Sequence, residues 1–143
     1  MSIDTRTACT DLFISYARHV DFGEYDQFVG LFTDDATLDL GFHLAGKDAI
    51  ARSMTKRNPE LRSRHVLTNI HIDIIGEQEA QGIAYLSLYR FTGPETLTDA
   101  PVVFDSPSAV GHYTNRFVCT EQGWKIASCR LSLAFRNPEH FAY

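Results

Sequence analysis

The chain has 143 residues, of which 44% are hydrophobic and 12% aromatic, and its net charge is −5. These values predict a single globular domain spanning residues 1–143 and exclude a disordered chain. The basic residues form no concentrated face, so nucleic acid is not an expected partner. The absence of a signal peptide and of a long apolar run predicts a cytoplasmic protein that does not enter a membrane. Three cysteines without metal-type spacing predict reduced thiols.

The first half of the chain has mainly helical patterns. Apolar residues recur at three- and four-residue spacing over positions 4–20, which predicts an amphipathic helix. A second short helix is predicted to end at positions 33–35. Positions 37–44 alternate as a strand does, and a third helix is predicted to follow Gly46 and to end before Pro59.

The second half has the composition of β-strands. Four long segments are rich in Val, Ile, Tyr, Phe and Thr, and short turn sequences separate them. The predicted strands cover positions 64–75, 80–92, 109–120 and 124–135. Asn69 is expected at an irregularity in the first of them. Positions 93–108 hold three of the five prolines and read as a long loop that, like the tail at 137–143, is a candidate lid.

Two residues with complementary chemistry occur at the ends of predicted elements. Asp21 closes the first helix, and His65 opens the first long strand. If they meet, the carboxylate orients the imidazole and makes it a better base, a common means of removing a proton from carbon. Two structural alternatives stand beside this hypothesis. Asp21 with Glu24 three residues later fits a helix capping box. His65 fits either a buried structural histidine or an exposed histidine at a strand end.

The last two strands also suggest a pocket. A two-residue turn at positions 122–123 would place Asn115 opposite Arg130 and Tyr113 opposite Ser132. One face would then combine aromatic and hydrogen-bonding groups, as ligand pockets usually do. That face would hold Tyr113, Asn115, Phe117, Trp124, Ile126, Ser128, Arg130 and Ser132. A single β-bulge would exchange the two faces.

The opposite face of these strands would be apolar. It would carry Val118, Ala127, Cys129, Leu131, Leu133 and Phe135. A large apolar surface is seldom left in water, so this pattern predicts a homo-oligomer, either a dimer or a trimer, that associates through the outer face of the sheet.

The order of the elements resembles the nuclear transport factor two-like fold and, within it, the SnoaL-like family. The segments that carry the resemblance are Tyr16 and Asp21, Gly46-Lys47-Asp48-Ala49-Ile50, Arg64-His65-Val66-Leu67-Thr68-Asn69, Gly111-His112-Tyr113-Thr114-Asn115-Arg116-Phe117 and Gly123-Trp124-Lys125-Ile126. The resemblance implies an α+β fold, a cystatin-like roll in which three N-terminal helices cover a cone-shaped curved antiparallel sheet. Members of this fold include isomerases, dehydratases, polyketide cyclases, a hexachlorocyclohexane dehydrochlorinase and non-catalytic dioxygenase subunits, so the fold alone does not define the reaction.

Two catalytic relatives imply roles for particular residues. In scytalone dehydratase and in hexachlorocyclohexane dehydrochlorinase an acid after the first helix pairs with a histidine at the start of a long strand, and Asp21 and His65 fall at those places. The dehydrochlorinase's arginine on the last strand corresponds to Arg130, and the dehydratase's substrate-binding asparagine corresponds to Asn115. The dehydratase's second pocket histidine has no counterpart near positions 89–90, which argues against that specific activity.

These observations predict a cofactor-independent lyase or isomerase without a metal, acting on a small, largely apolar, cyclic or polyketide-like substrate. His65 would be the general base, Asp21 would orient it, and Arg130 would stabilise developing negative charge. The predicted substrate-binding residues are Tyr16, Phe28, Phe32, Tyr89, Tyr113, Asn115, Phe117 and Trp124. A non-catalytic subunit of the dioxygenase type, or a protein that only binds a hydrophobic ligand, remains the alternative.

Overall fold

The computed structural model describes residues 4–141. These residues form three α-helices and six β-strands, an α+β arrangement in which the helices cover one side of a curved sheet. In chain order the elements are α1 (Thr5–Asp21), α2 (Tyr25–Val29), β1 (Phe32–Asp39), β2 (His43–Ala45), α3 (Lys47–Thr55), β3 (Leu61–Gly76), β4 (Glu79–Thr92), β5 (Ala109–Thr120) and β6 (Gly123–Arg136). The predicted fold class is confirmed.

Helix α1 lies inside the curve of the sheet. Its first turn is capped by Asp4, whose carboxylate accepts a hydrogen bond of 3.1 Å from the backbone N–H of Thr7. Its apolar stripe is buried, and the members of that stripe are Cys9, Leu12, Phe13, Tyr16, Ala17 and Val20. Burying this stripe directs Tyr16 into the space between helix and sheet and leaves Asp21 at the end of α1.

The sheet has the strand order β2-β1-β6-β5-β4-β3. Strands β3 to β6 form an antiparallel meander, whereas β1 pairs in parallel with β6. The side chains of the inner face are buried at alternate positions, as Ala84, Leu86 and Leu88 show along β4. The hydrophobic core therefore fills the space between this inner face and the three helices.

Two of the predicted boundaries are wrong near the N-terminal half of the sheet. Helix α2 ends at Val29, and Phe32 already begins β1. The predicted strand at positions 37–44 is a hairpin: β1 and β2 pair, and the backbone N–H of Leu40 donates to the carbonyl oxygen of Phe42. The turn falls at Gly41, whose φ of 90° is accessible mainly to glycine.

The last two strands are in a different register from the predicted one. Asn115 pairs with Cys129 and Tyr113 with Leu131, and the register shifts between Arg116 and Phe117. Cys129 is fully buried and Leu131 packs against the core, whereas Arg130 is exposed. The bulge exchanges the two faces of β6 after Ile126, so three of the eight residues predicted on the pocket face, Ser128, Arg130 and Ser132, lie outside.

The bulge also removes part of the argument for self-association. Cys129, Leu131 and Leu133 were expected on the outer face, but they lie on the inner one. Phe135, which was predicted on the outer face, is exposed there. The outer face also exposes Val66, Tyr85 and Tyr89, which were not part of the predicted surface. The dimer or trimer stays a prediction.

The loop between β4 and β5 is fixed by hydrogen bonds. The Arg62 guanidinium donates to the carbonyl oxygens of Thr96, Thr98 and Ala100 at 2.6–2.9 Å. In the tail, Phe141 is buried, and residues 142–143 lie outside the described part of the chain. Within residues 4–141, no helix has the length and apolarity needed to cross a membrane.

Candidate active site

A cavity of about 470 Å³ lies between the helices and the inner face of the sheet. All three helices, the β1–β2 hairpin, strands β3 to β6 and the tail contribute to its wall. We call it the cone cavity. Most of its lining is apolar, and the polar members are Tyr16, Ser53, Lys56, Arg57, Ser63, His65, Arg90 and Tyr113. This mixture of an apolar wall with a few convergent polar groups is typical of small-molecule sites.

Asp21 and His65 meet at the wall of this cavity. The Nδ1 atom of His65 lies 2.6 Å from Oδ1 of Asp21, and the backbone N–H of His65 donates to Oδ2 at 2.8 Å. Only 11% of the His65 side chain and 6% of the Asp21 side chain is exposed. A carboxylate bound at Nδ1 places the ring proton there, which leaves Nε2 as the basic nitrogen available to a molecule in the cavity.

Ser63 completes the support of Asp21. Its hydroxyl donates to Oδ1 of Asp21 at 2.8 Å, and its side chain is buried. Ser63 and His65 are two residues apart on β3, so both side chains point to the inner face and reach the same carboxylate. The capping-box alternative for Asp21 is wrong. Asp21 is the last residue of α1, the N-cap of α2 is Glu24, and the Asp21 carboxylate accepts from Ser63 and His65 rather than from the amides of α2.

The hydrogen bonds decide the charge state of Asp21. Burial by itself raises the pKa of a carboxyl group, but here it is outweighed by the His65 side chain, the His65 backbone N–H and the Ser63 hydroxyl. Together they lower the pKa of Asp21 below its usual value. Asp21 is therefore ionised at neutral pH and can stabilise a positive charge on His65.

Two tyrosines extend the site beyond His65. The Tyr16 and Tyr113 rings meet edge to face with centroids 5.3 Å apart, and the Tyr16 ring lies 6.4 Å from the imidazole. Burial, reinforced by the neighbouring Tyr113, raises the pKa of Tyr16 well above its usual value, and burial likewise raises the pKa of Tyr113. Both phenols thus stay protonated and can donate hydrogen bonds.

The other predicted binding residues divide into two groups. Phe28 lines the cone cavity. Phe32, Phe117 and Asn115 are buried in the core without lining it, and the Asn115 side-chain oxygen has no hydrogen-bond partner among the described residues. Phe32 supports the cavity indirectly because its ring packs against Phe28 at 5.2 Å.

Three predicted site residues lie away from the cavity. Arg130 is exposed on the outer face opposite Thr114, because the bulge in β6 reverses its direction. Tyr89 also points outward, since its neighbours Leu88 and Arg90 point inward. Trp124 pairs with Cys119 at the turn end of the sheet and is not part of the lining. The predictions that these three residues line the pocket are wrong.

Sequence reasoning missed Arg57 and Arg90, which both line the cone cavity. The sequence patterns that place both residues on inward faces were present. Arg57 follows Ile50 and Met54 at helical spacing, so it continues the buried face of α3. Arg90 has the same parity as the buried Leu86 and Leu88 on β4.

The described residues contain no cluster of three or more His, Cys, Asp or Glu side chains that could hold a metal ion. The polar groups at the cavity are an acid–histidine pair, two phenols, two serine hydroxyls, one ammonium group and two guanidinium groups.

A curved sheet that encloses helices and a cavity is the cystatin-like architecture of nuclear transport factor two-like proteins. Within this class the chain matches the SnoaL-like domain over residues 1–130, and it belongs to that family. Comparison with curated protein sequences gives no match.

Solved structures of similar fold include three with named activities. A proposed aromatic ring hydroxylase from Novosphingobium aromaticivorans is 25% identical, with a TM-score of 0.74, and the match covers 94% of this chain and 92% of that one. A proposed scytalone dehydratase from the same organism is 20% identical, with a TM-score of 0.76 and coverage of 95% and 88%. Hexachlorocyclohexane dehydrochlorinase LinA-type3 from Novosphingobium barchaimii is 16% identical, with a TM-score of 0.76 and coverage of 97% and 94%. The last two identities show a shared fold only.

Proposed function

We propose that this protein is a cofactor-independent lyase or isomerase that acts on a small, largely apolar, cyclic or polyketide-like molecule held in the cone cavity. The observation that carries the proposal is the 2.6 Å contact between Nδ1 of His65 and Oδ1 of Asp21 at the cavity wall. An imidazole held in one tautomer by a buried carboxylate is a general base directed at whatever occupies the cavity.

The first step is the transfer of a proton from a substrate carbon to Nε2 of His65. The electron pair of the broken C–H bond then forms a carbon–carbon double bond, either with loss of a leaving group from the neighbouring carbon or through an enolate. In an isomerisation the proton returns from the imidazolium to another carbon. In a dehydration it leaves with the departing hydroxide as water.

The neighbouring groups suit these steps. Ionised Asp21 stabilises the imidazolium that forms on His65. The neutral phenols of Tyr16 and Tyr113 are donors for an enolate oxygen, and a donor aimed at developing charge in a dry site is worth far more than one in water. We assign to these tyrosines the role that the sequence had suggested for Arg130, which is to stabilise developing negative charge. The names of two fold relatives, a dehydratase and a dehydrochlorinase, are those of elimination enzymes and agree with this class.

Proton removal can be tested without knowing the natural substrate. The protein is incubated in D₂O with a panel of cyclic ketones (cyclohexanone, 2-tetralone and 3-oxocyclohexanecarboxylate), and NMR follows the loss of the C–H signals next to the carbonyl. We expect catalysed exchange that falls by about 10²–10⁴-fold in His65→Ala. His71→Ala is the matched control, because His71 lies on the same strand but is exposed on the outer face. Exchange no faster than in buffer across the panel, or equal in wild type and His65→Ala, would favour the alternative of a non-catalytic binding protein.

A further inference from the structure

The charge of the cone cavity differs from that of the whole protein. The chain has a net charge of −5. The residues that line the cavity nevertheless include three basic ones, Lys56, Arg57 and Arg90, and none of the lining residues is acidic. A positive lining inside a low-dielectric wall attracts anions more strongly than the same charges on an open surface.

The two arginines have no partner for their charge. Within residues 4–141 the guanidinium groups of Arg57 and Arg90 form neither a side-chain hydrogen bond nor an ion pair, and Nε of Arg57 is buried without an acceptor. Other arginines are engaged: Arg62 donates to three carbonyl oxygens and Arg136 to the carbonyl oxygen of Phe141. Buried donors in folded proteins nearly always have acceptors, so the free Nε donor of Arg57 is unusual. Arg90 is exposed, and its donors also reach water.

Aromatic rings hold both guanidinium groups in position. Arg57 lies over the ring of Tyr25 and Arg90 over the ring of Phe141, each at 5.8 Å from the ring centroid. A guanidinium group over an aromatic ring makes a cation–π contact and keeps its N–H groups available to a planar anion. The two side chains are preorganised for a ligand that the protein itself does not supply.

The two arginines line the same cavity as the proposed base, His65. Partial desolvation, with the Arg57 charge in addition, lowers the pKa of Arg90, although the residue remains exposed. The Arg57 charge also acts on the hydroxyls of Tyr16 and Tyr113. Among the described residues, the ion-pair partner of Asp21 is His65, and no ion pair joins Asp21 to either arginine.

We propose that Arg57 and Arg90 bind a carboxylate group of the substrate, and that the ligand of the cone cavity is a small carboxylic acid with a largely apolar body. The inference rests on the proposed function for the position of the reacting carbon near His65, but the anion site itself does not depend on catalysis. Planar bidentate donation suits a carboxylate. The apolar remainder of the cavity, formed by residues such as Phe28, Leu88 and Leu131, accommodates the body of the molecule.

The test is a set of calorimetric titrations with matched ligand pairs. Benzoate, cyclohexanecarboxylate and 3-oxocyclohexanecarboxylate are each compared with the corresponding carboxamide, which has nearly the same shape and no charge. We expect the best carboxylate to bind wild-type protein about 10- to 100-fold more tightly than its amide, the usual difference for hydrogen bonds to a charged group. Arg57→Gln and, separately, Arg90→Gln should each remove most of this preference. Thermal unfolding shows which variants are folded.

Arg52→Gln is the matched control. Arg52 lies on α3, the helix that ends two residues before Arg57. It is exposed and does not line the cavity. The proposal is overturned if no carboxylate binds wild type more tightly than its amide. It is also overturned if Arg57→Gln and Arg90→Gln are folded and prefer carboxylate over amide as strongly as Arg52→Gln does.

The same titrations with His65→Ala separate this inference from the proposed function. We expect His65→Ala to retain the carboxylate preference while losing exchange in D₂O. A carboxylate preference without any catalysed exchange in wild type would contradict the proposed reaction and leave the anion site standing. Catalysed exchange without a carboxylate preference would contradict the anion site and leave the proposed reaction standing.

Discussion

The Asp21 carboxylate binds both the side chain and the backbone of His65, a residue 44 positions further along the chain. One oxygen accepts from the backbone N–H, and the other lies against Nδ1 and also accepts from Ser63. The end of α1 is thereby joined to the start of β3 by three hydrogen bonds to one buried group. The arrangement that orients the proposed base also fixes the helix on the sheet.

This double role predicts a pH-dependent contribution of Asp21 to stability. The pKa of Asp21 is lower in the folded protein than the usual value of 3.8. A carboxyl group of this kind stabilises the fold fully above its unfolded pKa, and the contribution is lost as the pH falls through the folded pKa. We expect Asp21→Asn to lower the free energy of unfolding by about 2 kcal/mol at pH 7, since it weakens buried charge-assisted hydrogen bonds. The difference from wild type should shrink below about pH 4.

Urea denaturation at pH 7, 5 and 3 measures this difference. Asp73→Asn is the control, because Asp73 pairs with His71 while 68% of each side chain is exposed. An exposed pair contributes little, so this variant should match wild type at every pH. A constant difference between Asp21→Asn and wild type from pH 7 to pH 3 would contradict the account.

Arg130 provides a test of the observed register. Its side chain is exposed on the outer face, and its pairing partner there is Thr114. Arg130→Ala should therefore leave exchange in D₂O unchanged and alter the free energy of unfolding by no more than about 0.5 kcal/mol. A large loss of exchange in a folded Arg130→Ala protein would return this residue to the active site and reject the bulge in β6.

Gly111 tests the close approach of β5 to β6 at the second irregularity of this strand pair. A Cβ atom there would lie 2.2 Å from the carbonyl oxygen of Ser132 and 2.9 Å from Cα of Leu133, and backbone atoms cannot move aside cheaply. We expect Gly111→Ala to cost about 3 kcal/mol of unfolding free energy. Gly76→Ala is the control, because nothing lies within 4 Å of its Cβ position. Equal urea midpoints for the two variants would contradict the observed packing.

Local patterns in the sequence identified the long elements. The helical period of α1 and the β-branched and aromatic composition of β3 to β6 are properties of the residues themselves, and their predicted boundaries lie within three positions of the observed ones. Asn69, predicted at an irregularity, has a φ of 53° where the register of β3 shifts. Asparagine tolerates this left-handed conformation better than most residues, which gives the prediction a physical basis.

The contents of the cavity were harder to predict because they depend on how strands meet. The bulge in β6 depends on how β5 and β6 pair, which the sequence of one strand does not show. Because of the bulge, Arg130 lies on the outer face and Leu131 lies at the cavity wall. Helical spacing placed Arg57 in line with the buried face of α3, and strand alternation placed Arg90 on the inner face of β4. Neither pattern shows that the two residues line one cavity, because the cavity is formed by elements far apart in sequence. Asp21 and His65 were predicted because they fell at the ends of predicted elements and at matching places in two relatives of the fold, although β3 itself begins at Leu61.

The most direct test of the central claim is the tautomer of His65. The account requires the ring proton on Nδ1, toward Asp21, and a basic Nε2 toward the cone cavity. NMR of protein labelled with ¹⁵N-histidine at mildly alkaline pH distinguishes the two nitrogens, and His65→Gln assigns the signals. We predict a protonated, pyrrole-type signal for Nδ1 and an unprotonated, pyridine-type signal for Nε2. A proton on Nε2, with Nδ1 bare, would contradict the account, because no base would then face the cavity.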